Sequence, residues 1–211
     1  TVTITATPPS YVFLGENSTD VSGSVHTFSV DIGSARADRY IVLHCTVQND
    51  DPVPVSVTVA GIALSLLATA GTPSSTSNMM VVYGGLVATG SGAQNAVVTW
   101  TSASFQAKSM ALWSLVDLVS TTPKSIATSI ASISTETSFA VASGDIVLLA
   151  TADSAATATY AGTSVPAPTG QRRTTTAQRI YTADWLIPSS TSMVINYVPQ
   201  KAANRIRLVF A

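Results

Sequence analysis

Two histidines, one cysteine, nine Asp and two Glu are the side chains in this 211-residue sequence that could supply acid–base, nucleophilic or metal chemistry. His26 shares a strand face with Phe28, and His44 lies directly before Cys45, so each reads as a packed or edge histidine rather than a catalytic base. Cys45 alternates with Ile41, Leu43 and Val47 on an apolar face, and as a lone cysteine it cannot close an intrachain disulfide. It reads as a buried, inert thiol. There is no Gly-x-Ser-x-Gly elbow, no phosphate-cradling glycine loop, no His-x-x-x-His and no paired-cysteine spacing, so no catalytic, cofactor or metal residue is expected. Two carboxylates could still meet in space for glycoside hydrolysis. Asp50-Asp51, in a loop that Pro52 bounds, reads as a solvated turn, because calcium needs six or more oxygens and no ladder of further ligands follows.

The net charge of −1 conceals a polarity along the chain. Residues 1–154 carry ten acidic and four basic side chains, net −6, whereas residues 155–211 carry one acidic and six basic, net +5. Arg172, Arg173, Arg179, Arg205 and Arg207 are the candidate partner-binding residues, with Lys201 completing the basic group. A solvated or internally paired face competes with docking against an acidic neighbour, where charge complementarity would set orientation and encounter rate. Nucleic-acid binding is disfavoured, since the charges are spread out, lack interleaved aromatics and sit on a slightly acidic chain.

The elements that must position these residues are strands. Charged residues make up only 10% of the chain against a usual figure of about 25%. Ser and Thr supply 57 residues, and β-branched Thr suits an exposed strand face. Apolar and polar residues alternate over Phe28–Ile32, Val55–Val59, Met193–Tyr197 and Ile206–Phe210, the two-residue period of half-buried strands. Turn signals such as Pro8-Pro9, Gly84-Gly85, Gly90-Ser91-Gly92 and Ser143-Gly144-Asp145 separate the runs without room for crossover helices. This predicts an all-β, antiparallel sandwich or jelly roll. Ser125 to Ser134 is ambiguous, because Ile126, Ile130 and Ile133 have helical spacing, but flanking Ser and Thr favour a strand or linker.

Six short cues recur in one order. Thr27–Val30, Tyr40–Leu43, Val57–Gly61, Val81–Tyr83, Val97–Trp100 and Ala111–Trp113 are matched by Ser138–Val141, Asp145–Leu148, Ala158–Gly162, Arg179–Tyr181, Val194–Tyr197 and Arg207–Val209. The expectation is a pair of sequence-similar β repeats, 1–122 and 123–211, with a seam at Thr121-Thr122-Pro123, either separate or merged into one larger sandwich.

Trp100, Trp113 and Trp185, with Tyr83, Tyr160, Tyr181 and Tyr197, could stack on sugars if they faced solvent together, but burial in a core is favoured. No apolar run approaches the roughly 20 residues of a spanning helix, and Thr1-Val2-Thr3-Ile4 does not open a signal peptide, so no membrane association is expected. Asn17-Ser18-Thr19 matches a glycosylation acceptor but has no secretory context.

Thr27–Gly33, Asp38–Leu43, Val57–Gly61 and Val81–Gly84 together resemble β-rich structural proteins of tailed bacteriophages and prophages. The resemblance covers most of the first repeat and, more loosely, the second. It implies a non-enzymatic virion component: a capsid decoration (cement) protein, synthesised in the host cytoplasm and docking on the major capsid protein or another virion protein. It implies a homo-oligomer too, with a trimer favoured, and no cofactor. A carbohydrate-binding or adhesin module of a head or tail fibre is the alternative.

Overall fold

The computed structural model describes residues 7–19, 21, 23–48, 53–71, 78–101, 108–129, 138–153, 159–162, 168–173, 179–198 and 204–211, apart from the side chains of 48, 78, 153, 159–162, 171–173, 179, 191 and 196–198. Regular structure among these residues is all β, and every strand pair is antiparallel. The first half runs β1 (Ser10–Thr19), β2 (Val25–Asp31), β3 (Tyr40–Gln48), β4 (Ser56–Val59), β5 (Ile62–Ala63), β6 (Ser65–Ala70), β7 (Asn78–Leu86), β8 (Ala93–Thr99) and β9 (Lys108–Val116). The second runs β10 (Ser125–Ser129), β11 (Phe139–Val141), β12 (Ile146–Asp153), β13 (Thr159–Gly162), β14 (Gly170–Arg173), β15 (Arg179–Leu186), β16 (Thr191–Met193), β17 (Ile195–Val198) and β18 (Asn204–Phe210). The ambiguous stretch is thus a strand over Ser125–Ser129, and its remainder lies outside the described residues.

In the first half, one sheet has the order β1-β9-β3-β7-β6 and faces a second with the order β2-β8-β4-β5. In the other half, a sheet of order β10-β18-β12-β15-β14 is accompanied by the pairs β11-β16 and β13-β17. Strands pair only within their own half among the described residues. The halves join differently, by packing the two five-stranded sheets face to face.

This stacking creates three cores in four layers. One outer core sets Val30, Val57, Val59 and Val98 of the four-stranded sheet against Ile41, Leu43, Cys45, Val81 and Leu112. The middle core sets Val42, Met80, Val82, Trp113 and Leu115 against Ile146, Leu148, Ile180, Leu208 and Phe210. The other outer core holds Val147, Leu149, Tyr181, Ala183, Trp185 and Val209 against Val141, Met193 and Ile195. Each fully buried Val, Leu, Ile or Phe contributes about 1.5–3 kcal/mol.

The central strands β3, β9, β12 and β18 are therefore covered on both faces, which is why they read as nearly unbroken apolar runs. This corrects the expectation that Ile206–Phe210 is half exposed: its intervening Arg207 and Val209 are buried as well. Met193–Tyr197 is likewise not one continuous strand, because Val194 separates β16 from β17.

Two glycines permit close approaches. The β1–β9 register shifts between Phe13 and Gly15, where φ is 150° and a Cβ would stand 3.2 Å from the Phe28 ring. Gly84 lies under the Tyr40 ring, where a Cβ would come 2.5 Å from the hydroxyl.

Candidate functional site

The five arginines do not form one open patch. Arg205 and Arg207, two residues apart on β18, are only 2% and 6% exposed and share a strand face with Val209, which packs in the second outer core. The Arg207 guanidinium lies 3.4 Å from the centroid of the Phe139 ring, a cation–π contact between the layers. These two guanidinium groups are turned into their own half rather than toward a neighbour. Arg172 and Arg173 are on β14, opposite Thr182 and Tyr181, and Arg179 opens β15 opposite Asp153; their side chains lie outside the described residues.

The other described cations are also committed. Arg39, 1% exposed, donates to the carbonyl oxygens of Ile32, Ser34, Val87, Thr89 and Gly90. Lys108, equally buried, donates to the carbonyls of Val21 and Gly23 and lies 5.2 Å from the centroid of Trp100. Arg36 bridges Asp38 and Asp117 at 2.9 and 3.1 Å on the surface, which holds the Asp38 carboxyl well below the usual range, chiefly through the Arg36 hydrogen bond. Lys124 bonds the buried Asp145 at 2.8 Å.

The most elaborate side-chain constellation lies between the halves. The Asp184 carboxylate, on β15 and fully buried, accepts from the Tyr11 hydroxyl at 2.7 Å and from Trp113 Nε1 at 3.1 Å. His44 packs against Trp113 with ring centroids 5.1 Å apart, and neither of its nitrogens has a hydrogen-bond partner among the described residues. Burial pushes the His44 pKa down to about 3, so the imidazole is neutral at physiological pH. The Asp184 carboxyl group, occupied by donors from β1 and β9, ties the two sheets together, and the neutral, buried His44 packs beside one of those donors. Sequence reading passed over Asp184. The available signal was its being the one acid in residues 155–211, set in the apolar run Ile180–Ile187.

His26 is similarly enclosed, with Nε2 2.9 Å from Asn17 Oδ1. Burial first, and the Lys108 ammonium second, bring its pKa down to about 4. Cys45 is buried in the first outer core, which pushes its thiol up to about 12. We expect Cys45 to resist a thiol reagent at pH 8 in the folded protein and to react once unfolded in urea; stoichiometric labelling of the native protein would contradict the burial.

Trp100, Trp113 and Trp185 are all at most 2% exposed, so none offers a sugar-stacking face. Tyr83 and Tyr181 are buried too, while the side chains of Tyr160 and Tyr197 and all of Asp50 and Asp51 lie outside the described residues. A groove of about 310 Å³ runs beside the β1 bulge, lined by Val12, Phe13, Leu14, Asp31, Ile32, Gly33 and Ser114. Its carboxylate, Asp31, accepts from the Gly33 N–H at 2.8 Å, and its described lining holds no histidine, cysteine or second carboxylate. Among the described residues, no group of three His, Cys, Asp or Glu side chains could hold a metal, and no helix is long and apolar enough to cross a membrane. Comparison of the chain with family models, curated proteins and solved structures finds no match.

Proposed function

We propose that the chain is a non-enzymatic structural protein of a phage virion, a decoration or cement protein that docks on the head shell, built from two jelly-roll repeats over residues 1–122 and 123–211. The observation that carries this reading is strand order. β1-β9-β3-β7 facing β2-β8-β4-β5 is the arrangement of an eight-stranded jelly roll, with β6 as an added edge strand. In the second half β10-β18-β12-β15, with β14 added, follows the same order, and the pairs β11-β16 and β13-β17 stand where β2-β8 and β8-β4 stand in the first. Jelly rolls serve as shell and lectin domains, which fits both the virion reading and its fibre-adhesin alternative. The buried tryptophans favour the former.

A rigid body whose described cations are buried or ion-paired would dock through polar and apolar contacts, with many weak contacts summed over symmetric copies. The test is co-sedimentation of the purified protein with capsids that lack it, together with light scattering for its oligomeric state. Saturable binding at a symmetry-related copy number, by a trimer, is the expected result. A monomer that neither binds nor stabilises capsids at any salt concentration would sink the proposal, and glycan binding by the same preparation would favour the adhesin.

A further inference from the structure

We infer that the packed faces of the two five-stranded sheets form an isologous interface, that of a fused homodimer, and that Asp184 makes the pairing one-way. This rests on reading the halves as repeats. Backbone bonding sets the equivalence: Val87 N–H donates to the Arg39 carbonyl as Ile187 N–H donates to that of Asp145, and Tyr40 pairs with Leu86 as Ile146 pairs with Leu186. Position 84 therefore corresponds to 184, and, through Val42–Trp113 and Leu148–Leu208, position 113 corresponds to 208. Across the interface β7 packs on β18 and β12, while their counterparts β15 and β9, and β15 and β3, pack with the roles of the halves exchanged. Contacts that recur with partners exchanged define a two-fold, self-complementary face.

The polar groups break that symmetry. Where Trp113 and Tyr11 meet Asp184, the mirrored position places Leu208 against the strand carrying Gly84. Two first halves paired in this way would turn the Trp113 N–H and the Tyr11 hydroxyl toward a glycine. Two second halves would bury Asp184 against a leucine. Either leaves polar groups unpaired in the core, so only the mixed pair satisfies all three. The carboxylate thus selects a first half as the partner of a second half and rejects copies of the same half.

The test uses the whole chain with a protease site inserted between Ser120 and Thr121, in the exposed segment joining β9 to β10, and cut after folding. A cut preparation tagged on its N-terminal fragment is mixed with an untagged cut preparation and left to exchange. Wild type should recover tagged first fragments with second fragments only. Asp184→Leu should raise the recovery of untagged first fragments about tenfold or more, while Asp184→Asn, which keeps an acceptor oxygen, should behave like wild type. Uncut Asp184→Leu should also gain concentration-dependent association beyond the wild-type oligomeric state by light scattering.

Wild-type fragments that pair first with first, or separate on cutting, overturn the inference; so does Asp184→Leu protein that keeps both the mixed pairing and the oligomeric state of wild type. Failure of the uncut chain to bind capsids, with these pairing rules intact, would count against the virion reading alone.

Discussion

Replacing Arg39 with Ala should lower the unfolding free energy by about 3–5 kcal/mol, the largest loss we expect from any single polar side chain in the protein. The guanidinium donates five hydrogen bonds of 2.7 to 3.0 Å to carbonyls on both sides of the β2–β3 and β7–β8 connections. Truncation strands the Ile32 and Val87 carbonyls, whose bonds to the 1%-exposed Arg39 are buried, and removes the part-buried bonds to Ser34, Thr89 and Gly90. Each orphaned buried acceptor costs about 1–3 kcal/mol, although losses in a shared network do not add. Arg39→Lys should recover little of the stability, because an ammonium on a flexible stem cannot reproduce a planar fork reaching five oxygens. Urea unfolding followed by tryptophan fluorescence reads the change, and a loss below about 1 kcal/mol would show that these connections are held by other means.

On the proposed reading of the halves as repeats, Arg39 has a counterpart position in the second half. Asp145 occupies it, 2% exposed, accepting from the Ala142 N–H and Lys124 Nζ, both at 2.8 Å. One structural joint is thus closed by a cation gripping carbonyls in one half and by an anion gripping donors in the other. Such an exchange is invisible to residue matching. On the same reading the short apolar cues recur in both halves because each must fill a core, whereas the joint keeps its geometry and changes its chemistry.

That contrast accounts for how much of the fold was legible. Alternation over Phe28–Ile32 and Val55–Val59 located strands of the outer four-stranded sheet, where one face meets solvent and the period of two is preserved. In β3 and β18 both faces are buried, so an apolar run shows that a strand exists without revealing which side any residue faces. Matching Tyr40–Leu43 to Asp145–Leu148 consequently falls one residue out of phase: Ile41 packs in an outer core and Ile146 in the middle one. Leu112 and Leu208 show the same slip. The burial of Arg205 and Arg207 was hidden for a related reason. Arg205 and Arg207 alternate with apolar residues as a solvated face would, but a second layer covers that face. The Asp184 cluster depends on β1, β9 and β15 meeting across the halves, a juxtaposition that no local pattern records.

Acidification should weaken the protein well before most carboxylates titrate. In the unfolded chain both histidines ionise near 6.5, whereas burial brings His44 down to about 3 and His26 to about 4 in the folded state. Below pH 6.5 the unfolded chain therefore takes up protons that the folded protein refuses. Stability is fully present above that pH and declines as pH falls, with a limiting slope of about 1.4 kcal/mol per pH unit for each histidine, until the folded values are reached. Between pH 6.5 and 4.5 we expect a loss of roughly 2–4 kcal/mol. His44 carries the larger share, because it is wholly enclosed between the sheets beside Trp113, while His26 is less deeply buried and keeps a bond to Asn17. His44→Phe, which keeps a ring against Trp113, should remove that share and cut the slope by at least half without loss of stability at pH 7. Urea midpoints measured from pH 7 to 4.5 decide the matter. A flat profile in wild type, or an unchanged slope in His44→Phe, would mean that His44 can be protonated inside the folded protein and that water or a charged group reaches it between the sheets.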